Sequence, residues 1–249
     1  MSDENRVGLN VRLPADRNER AIHLRLLDGF YLYRGGVLCR LSADAQRLLA
    51  FLALKGTQER SRVAAVLWPQ VSEGKCSGSL RTALWRLNRS CPGIVDVSRE
   101  KLNVSRQATV DVNGFTAVAW KIIKRPSEAT VLRYSSGYFR GDLLPGWYDE
   151  WVAVERDRLE QLRLHALERL AVHLVHYGHH AAALEAAQTA VRIEPLRESA
   201  HRAVISVHLA EGNVAAAVRQ YERCRDLLEA ELGIAPAAET TALLPGRCR

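Results

Sequence analysis

Residues 75–106 read KCSGSLRTALWRLNRSCPGIVDVSREKLNVSR. Leu80, Ala83, Leu84 and Leu87 recur at i, i+3, i+4 and i+7, the spacing that puts apolar side chains on one face of a helix. Turning the segment by about 100° per residue places Thr82, Trp85 and Arg89 opposite that face. Lys75, Arg81 and Arg86 flank them. One side can dock on a small core while the other carries positive charge and one large aromatic. Pro92-Gly93 stops the helix, and two β-rich runs, 94–98 and 102–105, follow across the charged turn Arg99-Glu100-Lys101. A basic helix followed by a basic hairpin is how a winged helix-turn-helix addresses DNA.

The sequence upstream supplies what such a helix rests on. Residues 22–27 (IHLRLL) alternate apolar with polar, as a half-buried strand does. After the turn signal Asp28-Gly29, runs 30–33 and 37–41 flank Gly35-Gly36, which predicts a small antiparallel sheet with a hairpin. Ser42 stands where it can cap a helix whose stripe is Ala45, Leu48, Leu49, Leu52 and Ala53, with Gly56 ending it. A second helix is expected over 61–67, stopped by Trp68-Pro69, and 70–74 form a polar connection. Three helices with the last one basic, a sheet before them and a wing after them, make the arrangement of an OmpR-type winged helix.

A division of labour follows from those positions. Arg81, Thr82, Trp85, Arg86 and Arg89 are the candidates for the major groove, where an arginine can read guanine O6 and N7 with two hydrogen bonds. Ser77 and Ser79 are read at the start of the helix, offering hydroxyls and free N–H groups to a phosphate or serving as helix caps. Arg99, Lys101 and Arg106 are candidates for the backbone or minor groove beside the site, and Arg62 begins the helix that crosses the backbone. Two placements of Trp85 satisfy the sequence: in the groove, or folded onto the wing as core.

Charge divides along the chain in the same way. Residues 1–115 hold 18 Lys and Arg against 11 Asp and Glu, and residues 116–249 hold 17 of each. The whole net charge of +7 therefore lies in the first part, which faces a polyanion on this reading. Residues 1–21 mix charges of both signs and lack the apolar core of a secretory signal, so a disordered tail and a cytoplasmic protein are expected. No run reaches the roughly 20 apolar residues of a membrane span.

Beyond residue 112 the pattern is helical. Phe115, Val118, Ala119, Ile122 and Ile123 form a stripe that breaks at Pro126, and 128–134 predicts another short helix. Residues 137–151 (GYFRGDLLPGWYDEW) are an aromatic connection punctuated by Gly and Pro, and 152–174 a long amphipathic helix. An internal repeat of 34 residues follows: Tyr177-Gly178 aligns with Glu211-Gly212, Ala181–Ala183 with Ala215–Ala217, Ala171 with Ile205 and Leu184 with Val218. That period, with small residues where helices cross, is the tetratricopeptide pattern. Such arrays bury one continuous core and present a groove to other proteins, or act as packing modules.

The residues that could carry catalysis or a metal do not assemble into a motif. His173, His176, His179 and His180 are interrupted by Gly178 and lack an H-E-x-x-H signature. Cys39, Cys76, Cys91, Cys224 and Cys248 have neither zinc-ligand spacing nor the even count of a disulfide framework, so reduced thiols are expected. Asp142, Asp149 and Glu150 lie in a connection without a paired nucleophile or base. There is no P-loop, G-x-G-x-x-G or G-x-S-x-G. A non-enzyme without cofactor or metal is the expectation.

Three stretches also resemble one family. SLRTALWRLNR (79–89), after WPQVSEGK (68–75), resembles the recognition region of the Streptomyces antibiotic regulatory protein family. GDLLPGWYDEWVAVERDRL (141–159) resembles the start of that family's bacterial transcriptional activation domain, and LGIAP (232–236) its closing motif. The resemblance implies an activator that binds direct repeats of double-stranded DNA near promoters as side-by-side protomers. It also implies help in recruiting RNA polymerase holoenzyme and control of secondary-metabolite gene clusters. DNA contact carries over to Arg81, Thr82, Trp85, Arg86 and Arg89, and wing contact to Arg99 and Lys101.

The expected fold is mainly α with a small β component. A winged helix-turn-helix domain (22–112) precedes an all-α, tetratricopeptide-like activation domain (113–240), with tails at 1–21 and 241–249. The expected protein is a nucleoid-associated cytoplasmic activator without membrane contact. The rival is a helical-repeat adaptor whose basic domain binds an acidic protein or RNA.

Overall fold

The computed structural model describes residues 21–124, 126–134 and 136–244, apart from the side chains of Glu73 and Ser136. The tail expected at 1–21 lies outside them except for Ala21. The chain divides into two compact units, one of residues up to 26 and 30–111, the other of 27–29 and 112 onward. The first is a winged helix-turn-helix and the second all-helical, as expected.

The first unit opens with a sheet in the order β3-β2-β1-β7. Strand β1 (Ile22–Arg25) pairs antiparallel with β2 (Tyr31–Arg34), which pairs with β3 (Val37–Leu38). The alternation read from the sequence decides which face is inside: Ile22, Leu24, Leu26 and Leu32 are buried. Arg34 pairs with Val37, leaving Gly35-Gly36 as a two-residue hairpin loop with φ of 55° and 80°. Both angles are the positive values a type I′ turn demands, which only glycine adopts without cost. Strand β7 (Ala108–Val110) then returns beside β1 in parallel. The Asp111 carboxylate accepts a hydrogen bond from the Leu26 N–H at 3.0 Å where that pairing ends.

Three helices pack beneath. Helix α1 (Ala43–Lys55) buries Ala45, Leu48, Leu49, Ala50, Phe51 and Leu52, a stripe wider than the periodicity required, whereas Ala53 is only half-buried. Ser42 occupies its N-cap position without a side-chain bond, and Gly56, at φ 69°, ends it. Strand β4 (Gln58–Glu59) leads into α2 (Arg60–Leu67), and α3 (Glu73–Ser90) is the long basic helix. The wing is β5 (Val95–Val97) against β6 (Lys101–Val104). Strand β4 pairs with β6, so the second sheet runs β4-β6-β5 and ties the entrance of α2 to the wing. Fully buried Leu48, Leu49, Leu52, Leu67, Leu87, Ile94 and Leu102 join helices and wing into one core. Each such side chain contributes about 1.5–3 kcal/mol by leaving water.

In the second unit, α4 (Asp111–Lys124) and α5 (Glu128–Arg133) lead through a 3-10 turn (Ser136–Phe139) and a loop to α6 (Glu150–His176). Helices α7 (His180–Ile193), α8 (Glu198–Ala210), α9 (Val214–Leu232) and α10 (Ala238–Thr241) complete it. The 34-residue repeat is visible bond by bond. At the end of α6, Gly178 donates to the Val175 carbonyl and His179 to that of Leu174. At the end of α8, Gly212 donates to Leu209 and Asn213 to His208, the same pair of bonds one period on. Both glycines have positive φ, 78° and 73°, as this helix-ending motif requires. Ala183 and Ala217 are both fully buried where α7 and α9 cross their neighbours, and Ala171 and Ile205 are buried alike.

The loop 140–149 is held by arginines of α6. The Arg156 guanidinium donates to the carbonyls of Leu143 and Leu144, each at 3.1 Å, and of Trp147 at 3.3 Å. Arg163, buried, donates to the Gly141 carbonyl and sits over the Phe115 ring. Residues 241–244, left to a tail by the sequence, are packed instead. Leu244 is buried with Ile205, Ala217 and Tyr221, because this apolar cluster at the end of the repeats needs a lid. Only 245–249 of that tail lie outside the described residues.

Candidate nucleic-acid interface

Helix α3 separates its side chains as a docked amphipathic helix must. Cys76, Leu80, Ala83 and Leu87 are buried, and Leu84 is half-buried. Arg81, Thr82, Trp85, Arg86 and Arg89 are exposed on the other side, with Lys75 in the first turn. Among the described residues no carboxylate pairs with any of these cations. The Thr82 hydroxyl donates back to the Gly78 carbonyl at 3.1 Å, which leaves its oxygen as an acceptor.

Trp85 is 60% exposed, and the Arg89 guanidinium lies 5.4 Å from its ring centroid. It does not prop the wing. Leu84, Leu87 and Asn88 of α3 line a small pocket with Ile94, Val95 and Val97 of the wing, and Trp85 is not among its lining residues. An indole held open beside a guanidinium offers a flat stacking surface next to a charge.

The two serines sit elsewhere than the sequence placed them. Helix α3 starts at Glu73 with Ser72 in the N-cap position, so Ser77 and Ser79 lie more than a turn inside it. Their backbone N–H groups belong to the helical ladder, and neither residue caps the helix. The unbonded N–H groups of the helix start lie around 73–74 instead. Ser77 remains exposed and Ser79 is half-buried. Ser77 and Arg62 both line a cleft of about 600 Å³ between α2 and α3, together with Trp68, Val71 and Cys76.

At the wing, Arg99 and Lys101 are exposed on the turn between β5 and β6. That turn is closed by the Ser98 N–H to the Lys101 carbonyl at 2.9 Å and the Lys101 N–H to Ser98 Oγ at 3.1 Å. The Arg60 N–H at the start of α2 also donates to the Glu100 carbonyl at 2.8 Å, fixing the turn to the helical core. Arg106, grouped with these two by the sequence, is exposed but follows β6 at the opposite end of the strand. Five residues of extended chain, on the order of 16 Å, separate it from Lys101. It marks the base of the wing and not its tip.

The surface so built is a basic helix with an exposed aromatic along it, a basic hairpin tip and Arg62 on α2. Its guanidinium groups have the planar, two-donor geometry that matches guanine edges and phosphates. The histidines form no comparable site. His179 Nε2 lies 3.0 Å from Glu128, His201 bonds Gln220 and the Pro195 carbonyl, and burial beside Arg169 lowers the His173 pKa. Among the described residues no group of three or more His, Cys, Asp or Glu could hold a metal ion. No helix among them is long and apolar enough to cross a membrane.

Comparison with known proteins places this architecture. The family described as Bacterial transcriptional activator domain matches residues 119–244, and the chain belongs to that family. Its name marks it as a domain of transcription activators. The solved structure of Mycobacterium tuberculosis EmbR in complex with a low-affinity phosphopeptide is similar with a TM-score of 0.73 at 17% sequence identity. The likeness covers 90% of this chain and 64% of that one, so this chain spans less than two thirds of EmbR, and it speaks to fold alone. No curated protein matches the chain.

Proposed function

We propose that the chain is a sequence-specific DNA-binding activator of the Streptomyces antibiotic regulatory protein family. The first unit reads promoter direct repeats as side-by-side protomers. The second helps recruit RNA polymerase holoenzyme, for a secondary-metabolite gene cluster, at the nucleoid. The observation that carries this reading is the basic face of α3, with Arg81, Trp85, Arg86 and Arg89 exposed together in a transcriptional activator family member. Arg81, Arg86 and Arg89 provide base readout, and Trp85 stacks on a base or sugar. Lys75, Arg62, Ser77, Arg99 and Lys101 take phosphates, and Thr82 accepts a hydrogen bond. Ser79, half-buried, and Arg106, at the wing base, contribute least.

Selection of bound sequences from a random duplex pool tests the reading. A recurrent pair of half-sites in direct orientation is expected, with log affinity falling linearly against log salt. Salt-sensitive binding without any sequence preference overturns it and favours the rival reading, an adaptor for RNA or an acidic protein. For the second unit, deletion of 116–249 is expected to abolish promoter activation. Full activation by the remaining fragment removes that role.

A further inference from the structure

Trp85 stands on the outward face of α3, with Arg81 one turn before it and Arg89 one turn after. It is 60% exposed, and the Arg89 guanidinium carbon lies over its ring, 5.4 Å from the centroid. Among the described residues no carboxylate pairs with Arg89, and the indole is the group this guanidinium rests on. An arginine in water samples many rotamers. One resting on an aromatic face has fewer to lose when its planar fork closes on a partner. The indole keeps much of its apolar surface in water, where side chains of its size are normally well covered.

A duplex limits what these two groups can meet. Its base pairs cover one another's faces, so a helix in the major groove faces base edges. Among those edges thymine carries the apolar group, its C5-methyl, and guanine carries the paired O6 and N7 acceptors that suit an arginine fork. The indole therefore selects the methyl, and the guanidinium selects the guanine. The 5.4 Å between them is less than two rises of ~3.4 Å each, so the two bases belong to adjoining pairs. We propose that Trp85 and Arg89 act as one unit that reads a thymine next to a guanine, a refinement that rests on the DNA-binding reading above. Trp85 determines specificity in two ways, through its own methyl contact and by positioning Arg89. A sugar contact, the other partner open to an indole at the groove wall, would fix position without choosing a base.

The test uses the full chain and the duplex operator recovered by selection from a random pool. Each thymine is replaced singly by deoxyuridine, which removes the methyl and keeps the pairing. Each guanine is replaced singly by 7-deazaguanine, which removes N7. At one thymine per half-site the unmutated chain should lose about fourfold in affinity, the worth of one buried methyl. The guanine of the adjoining pair should respond to its own replacement. Trp85→Ala should bind the thymine and deoxyuridine duplexes equally, and Arg89→Ala the guanine and deazaguanine duplexes equally. In Trp85→Ala the guanine should also count for less, because its reader is no longer held. Both variants should melt with the parent, since both side chains are exposed. The proposal is overturned if no thymine responds to loss of its methyl. It is overturned equally if the methyl effect persists undiminished in Trp85→Ala, or if the guanine read by Arg89 lies two or more pairs away. Any of these with sequence preference intact leaves base reading by Arg81 and Arg86 standing and removes this pair from it. Binding without sequence preference fails the DNA-reading assignment itself, and the pair with it.

Discussion

Replacing Arg81 and Arg86 together by alanine separates recognition from folding on one helix. Both side chains are exposed and, among the described residues, neither has an ion-pair partner. Their removal should therefore leave stability within about 0.5 kcal/mol of the parent. If both read bases, each is worth ~1–3 kcal/mol of discrimination, so the pair costs about 2–6 kcal/mol. That range corresponds to an affinity loss of roughly 30-fold to roughly 10⁴-fold on the selected operator. If they contact phosphates instead, the slope of log affinity against log salt should flatten by ~0.9 for each contact, and non-specific binding should weaken in step. Leu87→Ala, on the buried side of the same helix, is the opposing control. It should cost about 2–5 kcal/mol of stability through the cavity it leaves and reduce binding only through unfolding. Gel shifts at several salt concentrations beside thermal melts read both quantities. An unchanged affinity and salt slope in the double variant, with an unchanged melt, would refute the assignment of this face to DNA.

Three further expectations concern the helical unit. Gly178→Ala and Gly212→Ala meet no atom within 4 Å, so each should cost only the left-handed backbone penalty of ~1–2 kcal/mol. The two melts should shift alike, and a large difference between them contradicts the equivalence of the repeats. Arg156→Ala removes a donor from three carbonyls of the loop 143–147, of which that of Leu144 keeps the Trp147 N–H, and should destabilise by ~2–4 kcal/mol. Limited proteolysis should then cut first in that loop. Burial, chiefly, and Glu198 push the Cys224 thiol up to about 11 against the pull of Arg202. The folded chain thus keeps a proton that the unfolded chain releases near pH ~8.5. Stability from this group is complete below that pH and declines as pH rises towards about 11. Urea midpoints across that window should fall for the parent and fall less for Cys224→Ala.

The helical faces were legible because period alone decides them: Leu80, Ala83 and Leu87 are buried and Arg81, Trp85 and Arg89 exposed as the wheel requires. The repeat was legible because its two glycines need the same backbone angle one period apart. What escaped depended on partners far along the chain. Strands β4 and β7 are two and three residues long, too short to show alternation, and exist only through pairing with β6 and β1. The start of α3 was placed too late, with 70–74 read as a polar connection and Ser77 and Ser79 as the helix start, although the helix runs from Glu73 through Gly74 and Gly78. The buried Cys76 and Leu80 between and after them outweigh a glycine cost of about 1 kcal/mol each. This same error moved Ser77 and Ser79 to a helix end they do not occupy. Trp85, left between two placements, is 60% exposed and so is not core of the wing; the period of the helix alone cannot tell an exposed aromatic from one folded onto a neighbouring hairpin.

The parallel pairing of β7 with β1 has a consequence for how such regulators are cut and joined. The first strand of the winged unit gains its second neighbour from residues 108–110, after the wing is complete, and the Leu26 N–H gains its bond from Asp111. A graft that stops at the end of the wing leaves β1 with an open edge and a bare N–H. The seam for joining this winged unit to another domain, in a genome or on a bench, falls after Asp111 and not where the hairpin ends.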